Sequence, residues 1–171
     1  MNNYTARMIF PTIIHEYLYD KFDEKEAIDF CYKQRELDPQ GKVISNRGGW
    51  HSSFFNVTDD NIISHTLGEG FGKSIFTSLD PSLKLSITYW IMINSPNSYN
   101  TSHNPFSHTG YAETLSYLDE VKDQTAFYHS MFFTPKVGKM LSFPSALRHE
   151  VLLNESDEDR ISISYNINIL K

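Results

Sequence analysis

The sequence contains a single cysteine, Cys31, among its 171 residues. One cysteine excludes an internal disulfide and any zinc site built from several cysteines. Cys31 falls within a predicted helix, and we expect it to be a small buried apolar residue rather than a reactive thiol.

Runs of basic residues are also missing from the chain. The formal net charge is -6 and the sequence pI is about 5.6, whereas general binding to nucleic acids relies on clustered lysine and arginine. We therefore expect no nucleic-acid partner.

Long apolar segments are absent as well. No stretch of about 18 apolar residues occurs, so the sequence predicts no transmembrane helix. The apolar segment near the start is interrupted by Pro11, His15 and Glu16 and does not have the layout of a signal peptide. These absences lead us to expect a cytoplasmic location and no membrane partner.

The composition that remains suits a β-rich core. Hydrophobic residues make up 40% of the sequence and aromatic residues 14%, and aromatic and β-branched side chains are favoured in strands. A length of 171 residues predicts one domain, 1–171, that is large enough to bury a substantial core.

The patterning divides this domain into a helical N-terminal part, 1–80, and a β-rich part, 83–171. A strand is predicted at 8–19, a helix over 23–37 with Asp23 as its N-cap, and a second helix over about 59–78 opened by Asp59 and Asp60. Further strands are predicted at 83–93, 114–118, 125–133, 140–143, 149–153 and 160–170. This order predicts a mainly β (α+β) fold, a double-stranded β-helix or cupin-like jelly roll with the N-terminal helices packed on one sheet.

The hairpin that starts at His149 carries the most chemical information. Arg160 lies 11 residues after His149, and a short turn brings such residues onto adjacent strands about 5 Å apart. If Arg160 faces inward, alternation places Ser162 on the same face and the intervening isoleucines on the other. A guanidinium with a nearby hydroxyl can clamp a carboxylate. The alternative is an exposed ion pair between Arg160 and one of the acids at 157–159.

Several segments together carry a resemblance to a known family. They are MIFPT from residue 8, SNRGGWHS from residue 45, YWIMIN from residue 89, YNTSH from residue 99, and the stretch from Phe143 to Asn166. The hairpin resembles the C-terminal half of the iron(II)- and 2-oxoglutarate-dependent oxygenases, and the chain resembles a family of small oxygenases of this type from bacteria and phages. The resemblance implies Fe(II), 2-oxoglutarate and O2 as cofactor and co-substrates, and the hydroxylation of a further substrate.

The resemblance also implies roles for individual residues. His149 matches the distal metal ligand of the family. His103 matches the first ligand, because it follows Tyr99 and Asn100 as that ligand does in the family. We expect Tyr99 and Asn100 to take part in binding 2-oxoglutarate.

The far carboxylate of 2-oxoglutarate is held by an arginine in this family, and Arg160 matches it, with Ser162 beside it. Of the other histidines, His51 follows Trp50 in a glycine turn and is expected to line the pocket rather than to bind the metal.

The third metal ligand is left open by the sequence. The family pattern places a ligand two residues after the first, where this chain has Pro105, which cannot bind a metal. The candidates to replace it are His108, Glu113, Asp119 and the amide oxygen of Asn104. His108 could instead be the proximal ligand, since His108-Thr109-Gly110 is similar to the His-x-Gly arrangement of iron halogenases.

Three functional hypotheses follow. The first is a non-haem iron(II), 2-oxoglutarate-dependent dioxygenase that acts on an unidentified substrate. The segment His103-Asn104-Pro105 motivates the second, a jelly-roll binding protein without catalytic activity. The third is a halogenase-like enzyme, motivated by the segment 108–110.

Overall fold

One long antiparallel strand pair forms the centre of the computed structural model, which describes residues 14–73, 84–103 and 131–170. In chain order the elements are β1 (His15–Leu18), α1 (Glu24–Leu37), β2 (Asn46–Arg47), β3 (Trp50–His51), β4 (Phe55–Asn56), α2 (Ile62–Lys73), β5 (Lys84–Asn94), β6 (Tyr99–His103), β7 (Lys139–Ser142), β8 (His149–Val151) and β9 (Arg160–Leu170). The described chain is thus mainly β with two helices, which confirms the mainly β class predicted from the sequence.

The strands form three antiparallel groups. Strand β5 pairs with β9 along its full length, from Lys84 opposite Leu170 to Asn94 opposite Arg160. The short strands β3 and β4 pair with the other edge of β5. A second sheet has the order β2-β6-β8, and β1 pairs with β7.

The main core lies between the helices and one face of β5. Its buried members are Ala27 and Cys31 of α1, Trp50 of β3, Ile63 and Leu67 of α2, and Ile87, Tyr89, Ile91 and Ile93 of β5. The residues from β5 are every second one, as the two-residue period of a strand requires. Helices α1 and α2 therefore pack on one face of this sheet, as the sequence predicted.

Helix α1 begins where the sequence predicted it. The Asp23 side chain accepts a hydrogen bond from the backbone N–H of Glu26 at 2.9 Å, as an N-cap residue does. Cys31 on the buried face is 1% exposed, and burial raises the pKa of its thiol to about 12. The thiol is therefore protonated at neutral pH, in agreement with the predicted apolar role.

Helix α2 begins at Ile62, later than the predicted start at residue 59. The residue that caps it is Asn61, whose Oδ1 accepts the backbone N–H of Ser64 at 2.9 Å. Asp59 instead accepts the backbone N–H of Asn56 and so belongs to the preceding turn. The predicted residues 74–78 of this helix lie outside the described ranges.

The N-terminal part contains short strands as well as the two helices. Strand β1 is the end of the strand predicted at 8–19, whose first residues lie outside the described ranges. Strands β2, β3 and β4 are two residues each and fall in the segment 42–57. Strands this short have no readable period and exist only because a neighbouring strand supplies hydrogen bonds.

The remaining strand predictions had different outcomes. Those at 140–143, 149–153 and 160–170 correspond to β7, β8 and β9. The one at 114–118 lies outside the described residues. Of the one at 125–133, only 131–133 are described, and they form no strand; Met131 and Phe132 are exposed there. Strand β6 was not predicted, because its sequence Tyr-Asn-Thr-Ser-His is polar and does not alternate.

Helices α1 and α2 have 14 and 12 residues. Over the part of the chain that the structure describes, no helix is long and apolar enough to cross a membrane.

Candidate metal and co-substrate site

The sheet β2-β6-β8 brings together the two positions predicted to bind the metal. Position 103, the last residue of β6, lies directly opposite position 149, the first residue of β8. Asn100 of β6 is opposite Val151, so three steps along β6 match two along β8 and the strand carries one extra residue. Such a bulge bends the strand and is common beside active sites.

The His149 imidazole is hydrogen-bonded to the backbone. Its Nδ1 lies 2.9 Å from the backbone carbonyl oxygen of Leu147. Because a carbonyl oxygen only accepts hydrogen bonds, Nδ1 carries the proton in this contact, and Nε2 is the nitrogen that would bind a metal in a neutral ring. Metal-binding histidines usually have this arrangement, in which one ring nitrogen donates to a backbone or carboxylate oxygen and the other binds the metal. The ring of Phe143 packs edge-on against it, with centroids 5.0 Å apart.

The candidates for the third metal ligand are not among the residues that the structure describes. His108, Glu113, Asp119 and Asn104 are all outside the described ranges. Within 14–73, 84–103 and 131–170 no group of three histidine, cysteine, aspartate or glutamate side chains is placed to hold a metal. The choice among the candidates therefore stays a prediction.

Arg160 reaches from one sheet to the other. It is the first residue of β9, and its Nη2 donates a hydrogen bond to the carbonyl oxygen of Leu152 at 2.7 Å. Leu152 immediately follows β8, so the guanidinium lies at the end of the strand that His149 begins. Burial lowers the pKa of Arg160, but arginine keeps its charge in proteins.

The Nε–H group of Arg160 is buried and has no hydrogen-bond partner among the residues that the structure describes. An unsatisfied buried donor costs about 1–3 kcal/mol, and more when it is charged. A ligand with a carboxylate would satisfy such a donor.

The alternative ion pair between Arg160 and a neighbouring acid does not form among the described residues. The Asp159 carboxylate accepts hydrogen bonds from Tyr32 and Arg35 of α1, each at 3.2 Å. Burial alone would raise the pKa of Asp159, but hydrogen bonds from Ser95, Tyr32 and Arg35 and the charge of Arg35 outweigh it, so the pKa is lowered. Asp159, the acid next to Arg160 in the sequence, is thus hydrogen-bonded to α1 and not to Arg160.

Arg160 and Ser162 lie on the face of the sheet away from the helices. Ile161 and Ile163 pack against the helix-side core, and successive residues of a strand point to opposite faces. The side chains of β9 therefore alternate between the two faces, as the sequence predicted for the case in which Arg160 faces inward. Ser162 is opposite Met92 of β5 and is partly buried.

Asn100 and Tyr99, the other residues expected to bind 2-oxoglutarate, have different surroundings. Asn100 is 3% exposed; its Oδ1 accepts from Nδ2 of Asn94 at 2.8 Å and its Nδ2 donates to Oγ of Ser45 at 3.3 Å. Both ends of this amide are used within the protein, which favours a role in holding β5, β6 and the chain before β2 together.

Tyr99 is exposed and lines a shallow groove of about 370 Å³. The lining residues are Tyr99, Asn100, Thr101, Ser102, Glu150, Val151, Leu152 and Leu153. Neither His149 nor Arg160 is among them, so this groove is not the predicted pocket.

His51 lies on the same face of the sheet as Arg160. It is opposite Met92 in the strand register, it is 2% exposed, and its ring stacks on Trp90 with centroids 5.8 Å apart. Its Nδ1 lies 2.7 Å from the carbonyl oxygen of Ser52. Burial, followed by the charge of Lys42, lowers the pKa of His51, so we expect a neutral imidazole.

Of the asparagines that surround Arg160, the sequence indicated Asn94 as a polar strand-end residue that could hydrogen-bond a ligand or serve a turn, and it did not indicate Asn154. Asn94, the strand partner of Arg160, is fully buried, and its Oδ1 has no hydrogen-bond partner. Asn154 is 4% exposed and donates to the carbonyl oxygen of Asn94 at 2.8 Å. A polar residue that ends the apolar run of β5 was the available signal for Asn94. The polar turn 154–159 gave no signal that Asn154 in particular would lie near Arg160.

The described residues provide an imidazole and a guanidinium of the kind that a site for iron and 2-oxoglutarate uses, whereas no set of three metal ligands lies among them. Nδ1 of His149 donates to a backbone carbonyl oxygen, as in many metal-binding histidines, and Arg160 has a buried Nε–H that no described residue accepts. Carboxylate and imidazole are the groups that such an iron site requires from the protein.

Comparison with known families points in the same direction. Residues 85–166 match the model of a family described as "Putative 2OG-Fe(II) oxygenase". The matched segment runs from β5 into β9 and includes His103, His149, Arg160 and Ser162. The match confirms, over this segment, the family resemblance carried by the motifs; the motifs from residues 8 and 45 lie before it. No curated protein matches the chain.

The class that this match indicates is therefore the 2-oxoglutarate- and Fe(II)-dependent oxygenases.

Proposed function

We propose that this protein is a non-haem iron(II), 2-oxoglutarate-dependent dioxygenase that hydroxylates a substrate. The observation that carries the proposal is Arg160, a partly buried guanidinium with an unsatisfied Nε–H and no carboxylate partner among the described residues. A fixed cation in this condition requires an anionic ligand, and Arg pairs with carboxylates through two parallel hydrogen bonds.

The proposed roles follow the family resemblance. His149 and His103 hold the iron, with a third ligand from the segment 104–119, either His108 or Glu113. Arg160 and Ser162 hold the far carboxylate of 2-oxoglutarate. When bound, iron and 2-oxoglutarate use O2 to place one oxygen atom on an aliphatic carbon of the substrate, while the other oxygen enters succinate and CO2 is released.

The protein itself contributes orientation and a stable charge. The backbone carbonyl of Leu147 accepts a hydrogen bond from Nδ1 of His149, which fixes the orientation of the ring. The bond from Arg160 to Leu152 orients the guanidinium toward the end of β8. The charge of Arg160 then selects a co-substrate with a second carboxylate.

A second proposal concerns the fold. We propose that the whole chain, 1–171, is one domain whose two main sheets form a double-stranded β-helix around this site. Its support is that Arg160 and Asn94 of one sheet each bond to the other sheet or its end, at Leu152 and Asn100. A cytoplasmic location stays a prediction from the sequence.

Anaerobic titration of the protein with Fe(II) and then 2-oxoglutarate tests the function. We expect a weak visible absorption band when the ternary complex assembles, and succinate when O2 is admitted. His149→Ala is expected to abolish the band. His65→Ala is the matched control, because His65 is an exposed histidine that pairs with Asp60, and it should leave the band unchanged. Absence of the band in the unaltered protein would contradict the proposal.

The same titration separates the two alternatives. Binding of 2-oxoglutarate without succinate formation would support a binding protein without catalytic activity, which Asn104 and Pro105 motivate. A chlorinated product in the presence of chloride would support the halogenase-like enzyme, which His108-Thr109-Gly110 motivates.

A further inference from the structure

The guanidinium of Arg160 has little to hold it in place by itself. It donates one hydrogen bond, from Nη2 to Leu152, and its Nε–H has no partner among the described residues. An arginine side chain is flexible and loses rotamer entropy when it is ordered. Its position must therefore depend on how firmly the backbone that carries it is held.

Asn154 is the residue that holds that backbone. Its Nδ2 donates to two carbonyl oxygens, that of Asn94 at 2.8 Å and that of Glu158 at 2.7 Å. Its Oδ1 accepts from both the backbone N–H and the Oγ of Ser156, at 3.3 and 2.8 Å. One buried amide thus joins the last residue of β5 to the turn that leads into β9.

The backbone of Asn154 adds two bonds to a different turn. Its carbonyl oxygen accepts from the N–H of Asn97 at 2.8 Å, and its N–H donates to the carbonyl oxygen of Ser98 at 2.9 Å. Asn97 and Ser98 connect β5 to β6. Asn154 therefore ties together the turn before β6, the turn before β9, and Asn94.

The placement of these contacts points to Arg160. Asn94 is the strand partner of Arg160, and Glu158 precedes Arg160 by two residues. The two carbonyl groups that accept hydrogen bonds from Nδ2 of Asn154 therefore flank Arg160. Glu158 precedes it in the chain, and Asn94 lies opposite it across the strand pair. A displacement of either would displace the root of the Arg160 side chain.

We propose that Asn154 is a positioning residue for 2-oxoglutarate binding, which acts by fixing the backbone on both sides of Arg160. The inference rests on the proposed function as far as the ligand is concerned. A residue that served the turn alone would not need its three bonds to Asn94, Asn97 and Ser98, which are more than 50 residues away in the sequence.

Asn154→Asp keeps the size of the side chain, but it replaces the Nδ2 donor with a carboxylate oxygen and so places an ionisable acid at a buried position. The new oxygen would face the carbonyl oxygens of Asn94 and Glu158, with which it cannot form hydrogen bonds. The oxygen that accepts from Ser156 is retained. Glu155→Ala is the matched control, because Glu155 is exposed and lies in the same turn.

The dissociation constant of 2-oxoglutarate from the protein loaded with Fe(II), measured anaerobically, is the first measurement. We expect Asn154→Asp to raise it about 10-fold, the size of the loss of one or two hydrogen bonds, with unchanged affinity for Fe(II). Glu155→Ala should have no effect. Equal affinity of Asn154→Asp and the unaltered protein for 2-oxoglutarate would overturn the inference.

A double-mutant cycle separates positioning from general loosening of the fold. If Asn154 acts through Arg160, then Asn154→Asp should weaken binding less than about twofold further when Arg160 is already alanine, since coupled sites are not additive. Independent, multiplying effects of the two substitutions would show that Asn154 acts by another route and would overturn the proposal.

The nuclear magnetic resonance signal of the Arg160 Nε–H group tests the positioning without any ligand. In the unaltered protein and in Glu155→Ala we expect a signal that exchanges slowly with water, because this atom is buried. In Asn154→Asp we expect the signal to broaden or to exchange rapidly. If the protein binds no 2-oxoglutarate, the proposed function fails, and the Nε–H signal alone then tests whether Asn154 positions Arg160. An unchanged signal in Asn154→Asp overturns the inference.

Discussion

The two faces of the β5–β9 strand pair have opposite chemistry. On the helix face, Ile87, Tyr89, Ile91 and Ile93 of β5 are at most 6% exposed and pack against α1 and α2. The polar face is formed by the alternate residues Ser86, Thr88, Trp90, Met92, Asn94, Arg160, Ser162, Ser164, Asn166 and Asn168. One pair of strands thus provides the stability of the fold on one side and hydrogen-bonding groups for a ligand on the other.

Two consecutive residues show how completely the faces are separated. Asp159 turns to the helix side and bonds to Tyr32 and Arg35, whereas Arg160 turns away and bonds to Leu152. Opposite charges that are adjacent in sequence therefore do not neutralise each other. The cost of leaving Arg160 without an acid is the physical basis for expecting an anionic ligand.

The largest expected effect comes from breaking the helix face. Ile91→Ala removes three buried carbons from a residue that is fully buried, and we expect it to lower the free energy of unfolding by about 2–5 kcal/mol. Ser164→Ala, on the polar face opposite Trp90, should change it by less than about 0.5 kcal/mol. Urea unfolding measures both. Equal losses would mean that the polar face is also part of the stabilising core.

The next effect concerns binding on the polar face. Arg160→Ala should raise the dissociation constant of 2-oxoglutarate about 100-fold, since hydrogen bonds to a charged group contribute about 1.5–3 kcal/mol. Affinity for Fe(II) should be nearly unchanged. Arg47→Ala, an exposed arginine that bonds to a backbone oxygen, is the control for loss of positive charge. Unchanged affinity for 2-oxoglutarate in Arg160→Ala would refute the clamp.

The smallest effect is a pH dependence on the helix side. The pKa of Asp159 is lowered in the folded protein, so its contribution to stability is present above the unfolded value and is lost as the pH falls through the folded value. Asp159→Asn should therefore lower stability near neutral pH by about 1 kcal/mol or less, and the difference should shrink below about pH 4.

Urea unfolding at several pH values between about 2 and 7 measures this difference. Asp157→Asn, an exposed carboxylate in the same turn, is the control. A difference between the Asp159 variant and the unaltered protein that stays constant down to the lowest pH would argue against an ionised Asp159 as its source.

The sequence predicted elements that have a long, regular period or a strong local signal. Helix α1 was predicted from the cap at Asp23 and a helical apolar face, and β5 and β9 from alternation over eleven residues. Strand β6 could not be predicted, because it is polar and becomes a strand only between β2 and β8. The start of α2 was wrong because Asp59, Asp60 and Asn61 are all good caps, and local turn contacts chose Asn61.

The residues of the candidate site were likewise predicted where the local sequence carries a signal. His149, Arg160 and Ser162 were found through a family motif and the strand period, both of which are properties of local sequence. Asn154 was not assigned to the site, because its role arises from contacts with residues about 60 positions away.

The amino-acid sequence by itself determined which residues alternate, and thereby which side of β9 is apolar and which carries Arg160 and Ser162. That follows from the two-residue period of a strand, which needs no knowledge of neighbours. Only the tertiary structure decided that Asp159 bonds to α1, that position 103 lies opposite position 149, and that Arg160 reaches Leu152. These depend on the register between strands distant in sequence, which is fixed by the sum of many packing contacts rather than by any local pattern.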